Sequence, residues 1–218
     1  MAKTRTVVGK YLFLDIIGFS RNRTVEAQTD IVKVMNQTVH DSLQELEIRS
    51  KKRILIPTGD GICIALLDIT DPYDIHMQLA LKILQKIHEY NHAIEDDMRQ
   101  LQIRIGINEN TDNLIVDVNG NDNVAGAGIT EAQRIMDRGD GSCILVGRTV
   151  YSNLKQRERY VGRFRGYVTL IKHKQKLEMY QLLNPSLEYL NSNVPESLQD
   201  FVGKIRKESG KVKKWLKL

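Results

Sequence analysis

One carboxylate stands alone in a run of apolar residues near the start of the chain. Asp15 follows Leu12-Phe13-Leu14 and precedes Ile16-Ile17, and the run breaks at Gly18 into a turn that carries the hydroxyl of Ser20. An ionised carboxylate in a buried strand costs free energy unless it is paired or holds a metal ion. The pattern therefore predicts an electrostatic site at the end of a strand. The alternative is an aspartate just past the strand that caps the next element.

A second carboxylate, Asp60, lies between two strand-like runs. The segment Gly59-Asp60-Gly61 joins residues 54–56 to residues 62–67, and glycine allows the positive φ angles of tight hairpin turns. In a split βαβ sheet the first strand lies beside such a hairpin, so Asp15 can approach Asp60. Two carboxylates that close repel unless a cation lies between them, and hard oxygen ligands favour Mg²⁺ or Mn²⁺. Such ions typically also hold a nucleoside triphosphate.

Apolar periodicity predicts the elements that must position these carboxylates. Alternating or continuous apolar runs predict strands, and apolar residues three and four apart predict amphipathic helices. Asp71-Pro72 should open the second helix, with the aspartate at the N-cap and the proline at the first helical position. We predict strands at 7–17, 54–56, 62–67, 101–107, 114–118, 143–146, 167–172 and 176–183, and helices at 24–48, from 71, at 125–136, at 148–154 and from 195.

The order β-α-β-β-α-β predicts an α+β fold of the ferredoxin-like kind, with added C-terminal strands and a basic C-terminal helix. A chain of 218 residues is long enough to bury one full core with a short appendage. We therefore divide it into a domain at residues 1–184 and a basic extension at residues 185–218.

Charge and cysteine content limit the classes of partner. The net charge of +5 is too small, and too concentrated at the C-terminus, to predict nucleic-acid binding. The longest apolar runs are strand-sized, so we expect neither membrane insertion nor a signal peptide. Cys63 and Cys143 lie within apolar strand patterns, as small buried hydrophobic residues do. A location in the reducing cytoplasm fits all of these features.

Four motifs, in order, resemble those of class III nucleotidyl cyclases. The run from Phe13 to Ser20 is similar to the first metal motif of that family, and Gly59-Asp60-Gly61 is similar to the second. Arg104-Ile105-Gly106-Ile107 resembles the strand that follows. The segment from Gly126 to Arg134 resembles the glycine-led helix of the family, which ends in an arginine. The resemblance covers most of the chain, from about residue 7 to residue 183.

The resemblance implies a homodimer with two sites at its interface. In one subunit Asp15, Asp60 and the carbonyl of Ile16 would bind two ions of Mn²⁺ or Mg²⁺, which activate the ribose 3′-hydroxyl for attack on the α-phosphorus. The other subunit would supply Arg134 to stabilise the α-phosphate. Further substrate contacts would come from Phe13, Gly18, Phe19, Ser20, Ile56, Asn123, Thr130 and, at the β- and γ-phosphates, Lys172 or Lys174.

Three positions depart from the purine cyclases of this family. Those enzymes place a base-reading Lys or Glu before the Gly-Asp hairpin and an Asp or Cys before the glycine-led helix, where this chain has Ile56 and Asn123. The ribose-orienting Asn is Thr130 here, which is shorter but still able to hydrogen-bond. Loss of buried polar recognition at Ile56 should relax or redirect the choice of base. The carboxamide of Asn123 has both a donor and an acceptor, which suits the mixed edge of uracil.

The segment Arg23-Thr24-Val25-Glu26-Ala27-Gln28 resembles the pyrimidine cyclases of bacterial Pycsar anti-phage systems. That resemblance implies conversion of UTP to cyclic UMP, which a separate effector protein receives. A cytidylate or purine cyclase is the alternative among enzymes. The alternative from another class is a catalytically inactive nucleotide-binding regulatory subunit. Such a subunit usually lacks a metal aspartate or the helix arginine, and both aspartates and Arg134 are present.

Three further patterns have a functional and a structural interpretation. His88 and His92 could hold zinc, but no third ligand is evident, so a solvated helix face is favoured. Gly126-Ala127-Gly128 is similar to a dinucleotide-binding loop but lacks its third glycine, and close helix packing explains it better. Arg134 has a structural alternative, a pair with Asp137 at the end of its helix.

Two charged features remain outside the predicted site. Arg53 and Arg104 are charged residues at or beside predicted strands. They could line the predicted substrate pocket, although solvated positions are more common for such residues. The basic C-terminal helix could contact a membrane surface or a partner. A frayed, soluble tail is favoured, because its apolar stripe is short and is broken at Gly210.

Overall fold

The structure confirms the predicted α+β architecture. The computed structural model describes residues 5–170 and 176–199. The first six elements form a β-α-β-β-α-β unit. Further strands, which extend the sheet, and further helices follow them. In chain order the elements are β1 (Thr6–Ile16), α1 (Val25–Glu45), β2 (Arg53–Pro57), β3 (Gly61–Leu67), α2 (Ile75–Ala93), β4 (Ile103–Val116), β5 (Asp122–Ala125), α3 (Ala127–Met136), β6 (Ile144–Gly147), α4 (Arg148–Leu154), β7 (Phe164–Leu170) and β8 (Lys176–Leu182), with 3-10 turns at Ser50–Lys52 and Glu196–Leu198.

The strand β1 lies in the interior of a single mixed sheet. The strand order is β2-β3-β1-β4-β6-β8-β7, and β5 pairs with β4 off this path. Both neighbours of β1, the strands β3 and β4, are antiparallel to it, whereas β4 and β6 are parallel. The end of β1 therefore lies between the β2–β3 hairpin and the start of β4, as the ferredoxin-like prediction required.

The alternation of side chains along β1 separates two apolar clusters. Leu12 and Leu14 point to the face covered by α1 and α2, where the largest cluster of buried residues lies. Tyr11 and Phe13 point to the opposite face, which is covered by α3. Successive strand residues alternate between faces, so Asp15 belongs to the α3 face.

The helix α3 packs directly on β4 because Gly106 has no side chain. A Cβ at this position would overlap the backbone nitrogen of Met136 and the carbonyl oxygen of Ala132, and would lie 2.6 Å from the Cα atom of Met136. The helix backbone thus rests against the strand backbone. This contact determines where the exposed side of α3 lies relative to the end of β1.

The helix α2 begins later than the sequence predicted. Its N-cap is Asp74 and its first residue is Ile75, because the carbonyl of Asp74 accepts the N–H of Met77 at 2.8 Å and that of the next residue at 3.0 Å. The segment Asp71-Pro72 lies in the bend before the helix. The prediction that Asp71-Pro72 opens α2 is therefore wrong.

The predicted strands at 101–107 and 114–118 are one strand, β4. The polar residues between them, 108–113, suggested a break, but each pairs with a residue of β1 between positions 6 and 11. The predicted loop at 119–123 is also shorter, since Asp122 and Asn123 begin β5. A polar segment can be a strand where a neighbouring strand supplies its hydrogen bonds, which local sequence does not reveal.

The segment after β8 packs on the domain as far as it is described. Leu190 is buried in the main cluster, and Leu198 is buried against residues of β7 and β8. The helix predicted from residue 195 begins with the 3-10 turn Glu196–Leu198, and the rest of it lies outside the described residues. Cys63 and Cys143 are free and buried as predicted, and burial raises the pKa of each thiol to about 12.

Candidate active site

The end of β1 and the tip of the β2–β3 hairpin bring the two predicted carboxylates together. Asp15 pairs with Gly61 in the β1–β3 register, and the N–H of Ile16 donates to the carbonyl of Asp60 at 3.3 Å. Gly61 permits this approach, because a Cβ there would lie 2.5 Å from the carbonyl oxygen of Leu14. Burial raises the pKa of the Asp15 carboxyl, and the charge of Asp60 raises it further, against the opposing effect of a nearby arginine.

The oxygen atoms at this edge fit a divalent cation. Asp15 and Asp60 offer carboxylates, and the carbonyl of Ile16 points to the same side of β1 as its N–H, towards Asp60. Two neighbouring carboxylates are unfavourable without a compensating cation, and Mg²⁺ and Mn²⁺ prefer hard oxygen ligands. Over residues 5–170 and 176–199, no three side chains of His, Cys, Asp or Glu cluster as a metal site. A site here would therefore use the backbone oxygen as well as the two carboxylates.

Arg104 supplies the positive charge beside Asp15 in this structure. It lies opposite Asp15 in the β1–β4 register, and its Nε and Nη2 atoms lie 2.9 and 2.8 Å from Oδ2 of Asp15. Its Nη1 also donates to the carbonyl of Asp137 at 3.3 Å. The interpretation of Arg104 as a solvated charge is wrong, since its side chain is only 26% exposed. Arg53, by contrast, donates to the carbonyl of Ile48, away from this site.

The loop at residues 17–22 leads from β1 to α1 and contains three predicted phosphate contacts. Gly18 has a φ of +60°, a left-handed conformation that glycine adopts without steric cost. Gly18 and Ser20 are exposed, whereas Phe19 is half-buried against the main cluster. The ring of Phe19 therefore anchors the loop while its neighbours remain accessible.

Arg23 fastens this loop to the segment before β4. Its guanidinium donates to the carbonyl oxygens of Gly18, Met98 and Gln100, the last two at 3.0 and 2.9 Å. The next residue, Thr24, caps α1 through its side chain. The segment at residues 23–28 thus secures the loop and starts the helix, a role that the sequence did not reveal for Arg23.

Replacing Arg23 with lysine should loosen the loop. A lysine ammonium cannot reach three carbonyls as a planar guanidinium does, and the lost hydrogen bonds should lower the free energy of unfolding by about 1–2 kcal/mol. If the loop binds the substrate phosphates as the sequence predicts, the KM should rise several-fold with a smaller change in kcat. Urea denaturation and steady-state kinetics measure both effects. Arg21→Lys is the matched control, since Arg21 is exposed and donates no side-chain hydrogen bond in the described part of the chain; equal effects of both substitutions would contradict the assignment.

The predicted base contacts lie in different surroundings. Ile56 is half-buried at the edge of the α3-side cluster and pairs with Cys63 of β3. Phe13 is 6% exposed in the same cluster, so its ring belongs mainly to the core. Asn123 is half-buried in β5, where its Oδ1 accepts the N–H of Val124 at 2.7 Å. One acceptor of the Asn123 carboxamide is thus used within the chain.

Thr130 and Arg134 lie one turn apart on the exposed side of α3. No carboxylate of the described residues lies within 4.0 Å of the Arg134 guanidinium, and Asp137 lies 3.7 Å from Nη2 of Arg104 instead. The alternative pair of Arg134 with Asp137 is therefore wrong. The structure does not bring Arg134 into contact with Asp15 of the same subunit. Arg134 is accessible to an anion on another molecule.

The predicted phosphate-binding lysines and the histidine pair of α2 are the remaining predictions about this site. Lys172 and Lys174, the predicted contacts to the β- and γ-phosphates, lie outside the described residues. The rings of His88 and His92 are tilted by 54° with their centroids 4.1 Å apart, and Nδ1 of His92 lies 2.8 Å from the carbonyl oxygen of His88. Neither histidine belongs to a group of three candidate metal ligands within the described ranges, and His92 is exposed on the surface of α2.

Close packing explains the segment Gly126-Ala127-Gly128. A Cβ on either glycine would overlap the carboxylate of Asp112, a buried residue of β4. The N–H of Gly128 donates to Oδ2 of Asp112 at 3.1 Å, where the dipole of α3 favours a negative charge. The interpretation as helix packing, rather than as a dinucleotide loop, is confirmed.

The comparison with known proteins decides the family. The family model of the adenylate and guanylate cyclase catalytic domain matches residues 4–184. The chain belongs to this cyclase family. No curated protein is significantly similar to the cyclase domain in sequence. Among the described residues, no helix of the cyclase domain combines the length and the apolar content needed to cross a membrane.

Solved cyclase structures share the fold of this cyclase domain. The guanylyl cyclase Cya2 superposes with a TM-score of 0.70 at 16% identity, over 85% of this chain and 97% of that one. The adenylyl cyclase CyaB from P. aeruginosa gives 0.62 at 18% identity, over 84% and 96%. The catalytic core of a rhodopsin-guanylyl cyclase with converted specificity, in complex with ATPalphaS, gives 0.67 at 16% identity, over 84% and 99%. At these identities the likeness concerns the fold.

Proposed function

We propose that this cyclase domain converts UTP to 3′,5′-cyclic UMP and pyrophosphate. The observation that carries the proposal is the proximity of Asp15 and Asp60 where β1 meets the hairpin. These carboxylates and the carbonyl of Ile16 would hold two ions of Mg²⁺ or Mn²⁺. When bound, such ions favour ionisation of the ribose 3′-hydroxyl and neutralise the triphosphate. Membership of the cyclase family supports this reaction class.

A second copy of the chain would complete the site. Thr130 and Arg134 are exposed on α3, and a head-to-tail homodimer would place them opposite the carboxylates of the other subunit. Arg134 would stabilise the charge that develops on the α-phosphate, and the Thr130 hydroxyl would orient the ribose. The backbone N–H groups of the loop at residues 17–22 would bind phosphate oxygens. Lys172 or Lys174 would contact the β- and γ-phosphates.

The preference for uracil rests on Ile56 and Asn123. Ile56 offers apolar contact but no hydrogen bond to a purine edge, so the recognition used by purine cyclases is missing. Because Oδ1 of Asn123 accepts the N–H of Val124, its Nδ2 group is the better placed partner for a base. A donor matches the O4 acceptor of uracil and mismatches the amino group of cytosine. Cytidylate and purine cyclase activities remain the alternatives.

Incubation of the purified chain with Mn²⁺ and each of the four NTPs, followed by chromatography of the products, tests the choice of base. We expect cyclic UMP, with a preference for UTP over CTP of at least about tenfold, because a mismatched amino group leaves polar atoms unpaired. Equal turnover of CTP, or faster turnover of a purine, would contradict the assignment. NTP binding without pyrophosphate release would favour an inactive nucleotide-binding subunit.

A substitution at the base position sharpens this experiment. Ile56→Lys places a charge where the base should bind, so turnover of UTP should fall. Leu55→Lys is the matched control. Leu55 is the neighbour of Ile56 in β2, it lies on the other face of the sheet, and it is 41% exposed. The control should keep the rate and the base preference of the wild type.

We also propose that cyclic UMP serves as a second messenger for a separate effector protein in Pycsar-type anti-phage defence. The resemblance of residues 23–28 to pyrimidine cyclases supports this role. Residues 1–184 would form the catalytic domain, and residues 185–218 would form a basic extension. Cyclic UMP extracted from infected and uninfected cells that carry the wild type or an Asp60→Asn variant tests the role. No rise on infection would contradict it.

A further inference from the structure

A pocket separate from the candidate active site lies towards the N-terminal end of β1, whereas Asp15 and Asp60 lie at its C-terminal end. Lys10 precedes Asp15 by five positions, which is about 17 Å along an extended strand. The alternation along β1 places the Lys10 side chain on the opposite face of the sheet. The pocket has a volume of about 250 Å³, and its lining includes Lys10, Thr70, Tyr73, Glu109, Asn153 and Arg157.

Lys10 carries a positive charge into a nearly buried position. Its residue is 6% exposed, and its Nζ donates to the carbonyl of Tyr73 at 2.9 Å. Glu109 lies opposite Lys10 in the β1–β4 register, but no carboxylate of the described residues is within 4.0 Å of this Nζ, and Oε1 of Glu109 accepts from Asn153 at 3.3 Å. An ammonium group has three donors, so Nζ retains donors for another oxygen atom.

Arg157 brings a second cation to the same pocket. Its guanidinium carbon lies 4.5 Å from the centroid of the Tyr73 ring, and this cation–π contact orients the guanidinium while its N–H edge stays available. Arg157 forms no ion pair within the part of the chain that the structure describes. Two cations, Lys10 and Arg157, therefore line the pocket together with one carboxylate.

The interior beside Lys10 is also incompletely hydrogen-bonded. His76 is 1% exposed, and neither ring nitrogen has a partner among the described residues. Burial lowers the pKa of His76 to about 3, and the charge of Lys10 lowers it in the same direction. Asp74, the carboxylate nearest in sequence, accepts from Arg159 and Tyr160 instead. Buried polar groups are normally satisfied, so His76 is an exception in the interior next to Lys10, although it does not itself line the pocket.

We propose that this pocket binds a small organic phosphate, with phosphate oxygens on Lys10 and Arg157 and a ligand hydroxyl on Glu109. Lys10 and Arg157 come from different segments of the chain, and two such cations can both donate hydrogen bonds to the oxygens of one phosphate group. The Glu109 carboxylate requires a donor on the ligand, such as a sugar hydroxyl. The volume is below the roughly 300 Å³ at which pockets for drug-sized ligands begin, so a sugar phosphate fits better than a nucleoside triphosphate. This site is separate from the proposed catalytic one and does not depend on the reaction proposed there.

Isothermal titration calorimetry of the full chain without divalent metal tests the proposal, with ribose 5-phosphate as the probe. We expect saturable binding to the wild type and affinities about tenfold weaker or more for Lys10→Met and Arg157→Gln, since each variant lacks one charge-assisted contact. Lys10→Met removes a buried charge at similar length and should fold, which circular dichroism verifies. Arg163→Gln, at an exposed position outside the pocket lining, is the matched control and should bind as the wild type does.

Further probes and one further variant distinguish the outcomes. Weaker binding of inorganic phosphate than of ribose 5-phosphate would support the hydroxyl contact to Glu109. Tighter binding of citrate would overturn the assignment to a phosphate. Absence of saturable binding of every probe, or equal affinities in the wild type and both pocket variants, would overturn the site. Ribose 5-phosphate binding that appears only when Mn²⁺ is added, and is lost in Asp60→Asn, would place the ligand at the carboxylates and overturn it as well.

Discussion

Replacing Asp60 with asparagine should abolish cyclase activity without unfolding the protein. Asparagine preserves the shape of the side chain and the backbone carbonyl that accepts the N–H of Ile16, but it removes a charge that favours a cation beside Asp15. Metal ions contribute several kcal/mol of transition-state stabilisation, so kcat/KM should fall by about a thousandfold. Product formation from labelled UTP measures the loss, and Mn²⁺ binding by electron paramagnetic resonance should decrease in parallel. Asp71→Asn, an exposed carboxylate at the other end of β3, is the matched control.

The same Asp60→Asn variant tests whether two subunits share a site. Arg134→Gln should be inactive for a different reason, because it leaves the carboxylates intact. If the site is shared as proposed, the carboxylates of the Arg134→Gln subunit in a mixed dimer would meet the arginine of the Asp60→Asn subunit, and one of the two sites would be complete. If mixing is random, half of the dimers are mixed and roughly a quarter of the wild-type rate should return. Mixed dimers isolated through two different tags that show no recovery would contradict the shared site, and retained activity of Asp60→Asn alone would contradict the metal role.

Gly106→Ala should destabilise the domain strongly for a change of a single methyl group. The added Cβ would overlap the backbone of Ala132 and Met136, which cannot move aside as the end of a flexible side chain can. Overpacking of this kind costs up to about 3 kcal/mol in the free energy of unfolding. Urea denaturation measures the change. Because Arg134 lies on the displaced helix, cyclase activity should also fall at temperatures where the variant is still folded.

Gly139→Ala is the control for this substitution. It lies shortly after α3, and a Cβ there would have its nearest neighbour, the carbonyl oxygen of Met136, at 3.4 Å, which is an ordinary contact. We expect a change in unfolding free energy of less than about 1 kcal/mol. Equal stability of the two variants would show that α3 does not rest on Gly106 as the structure indicates.

Local sequence was sufficient for the features that depend on neighbouring residues. The glycine pair around Asp60 predicted the hairpin between β2 and β3, because turn geometry depends on a few adjacent residues. The nearly continuous apolar run before Gly18 predicted a buried strand that ends at a loop. The same local patterns predicted α3, and the structure shows Thr130 and Arg134 on one side of it, because residues four apart lie on one face of a helix.

Local sequence was insufficient where distant segments compete for hydrogen bonds. The polar run at residues 108–113 predicts a break between two strands, yet it continues β4 because β1 supplies partners over its whole length. Asp71-Pro72 has the local features of a helix start, but the carbonyl of Asp74 accepts the first helical bonds. The sequence gives no structural role to Arg23, because two of its three carbonyl partners lie about 75 positions further along the chain.

By itself the sequence determined the order of elements, the identity of the two carboxylates and the cyclase motifs, because each of these features depends on residues adjacent in the sequence. The tertiary structure decided which charges meet. It placed Arg104 on Asp15 across 89 positions of sequence, set the Asp112 carboxylate at the start of α3, and left Lys10 beside a pocket without an ion pair among the described residues. Strand register and the seating of a helix on a glycine arise from contacts between distant segments, and a shift of one position would turn each of these side chains to the other face.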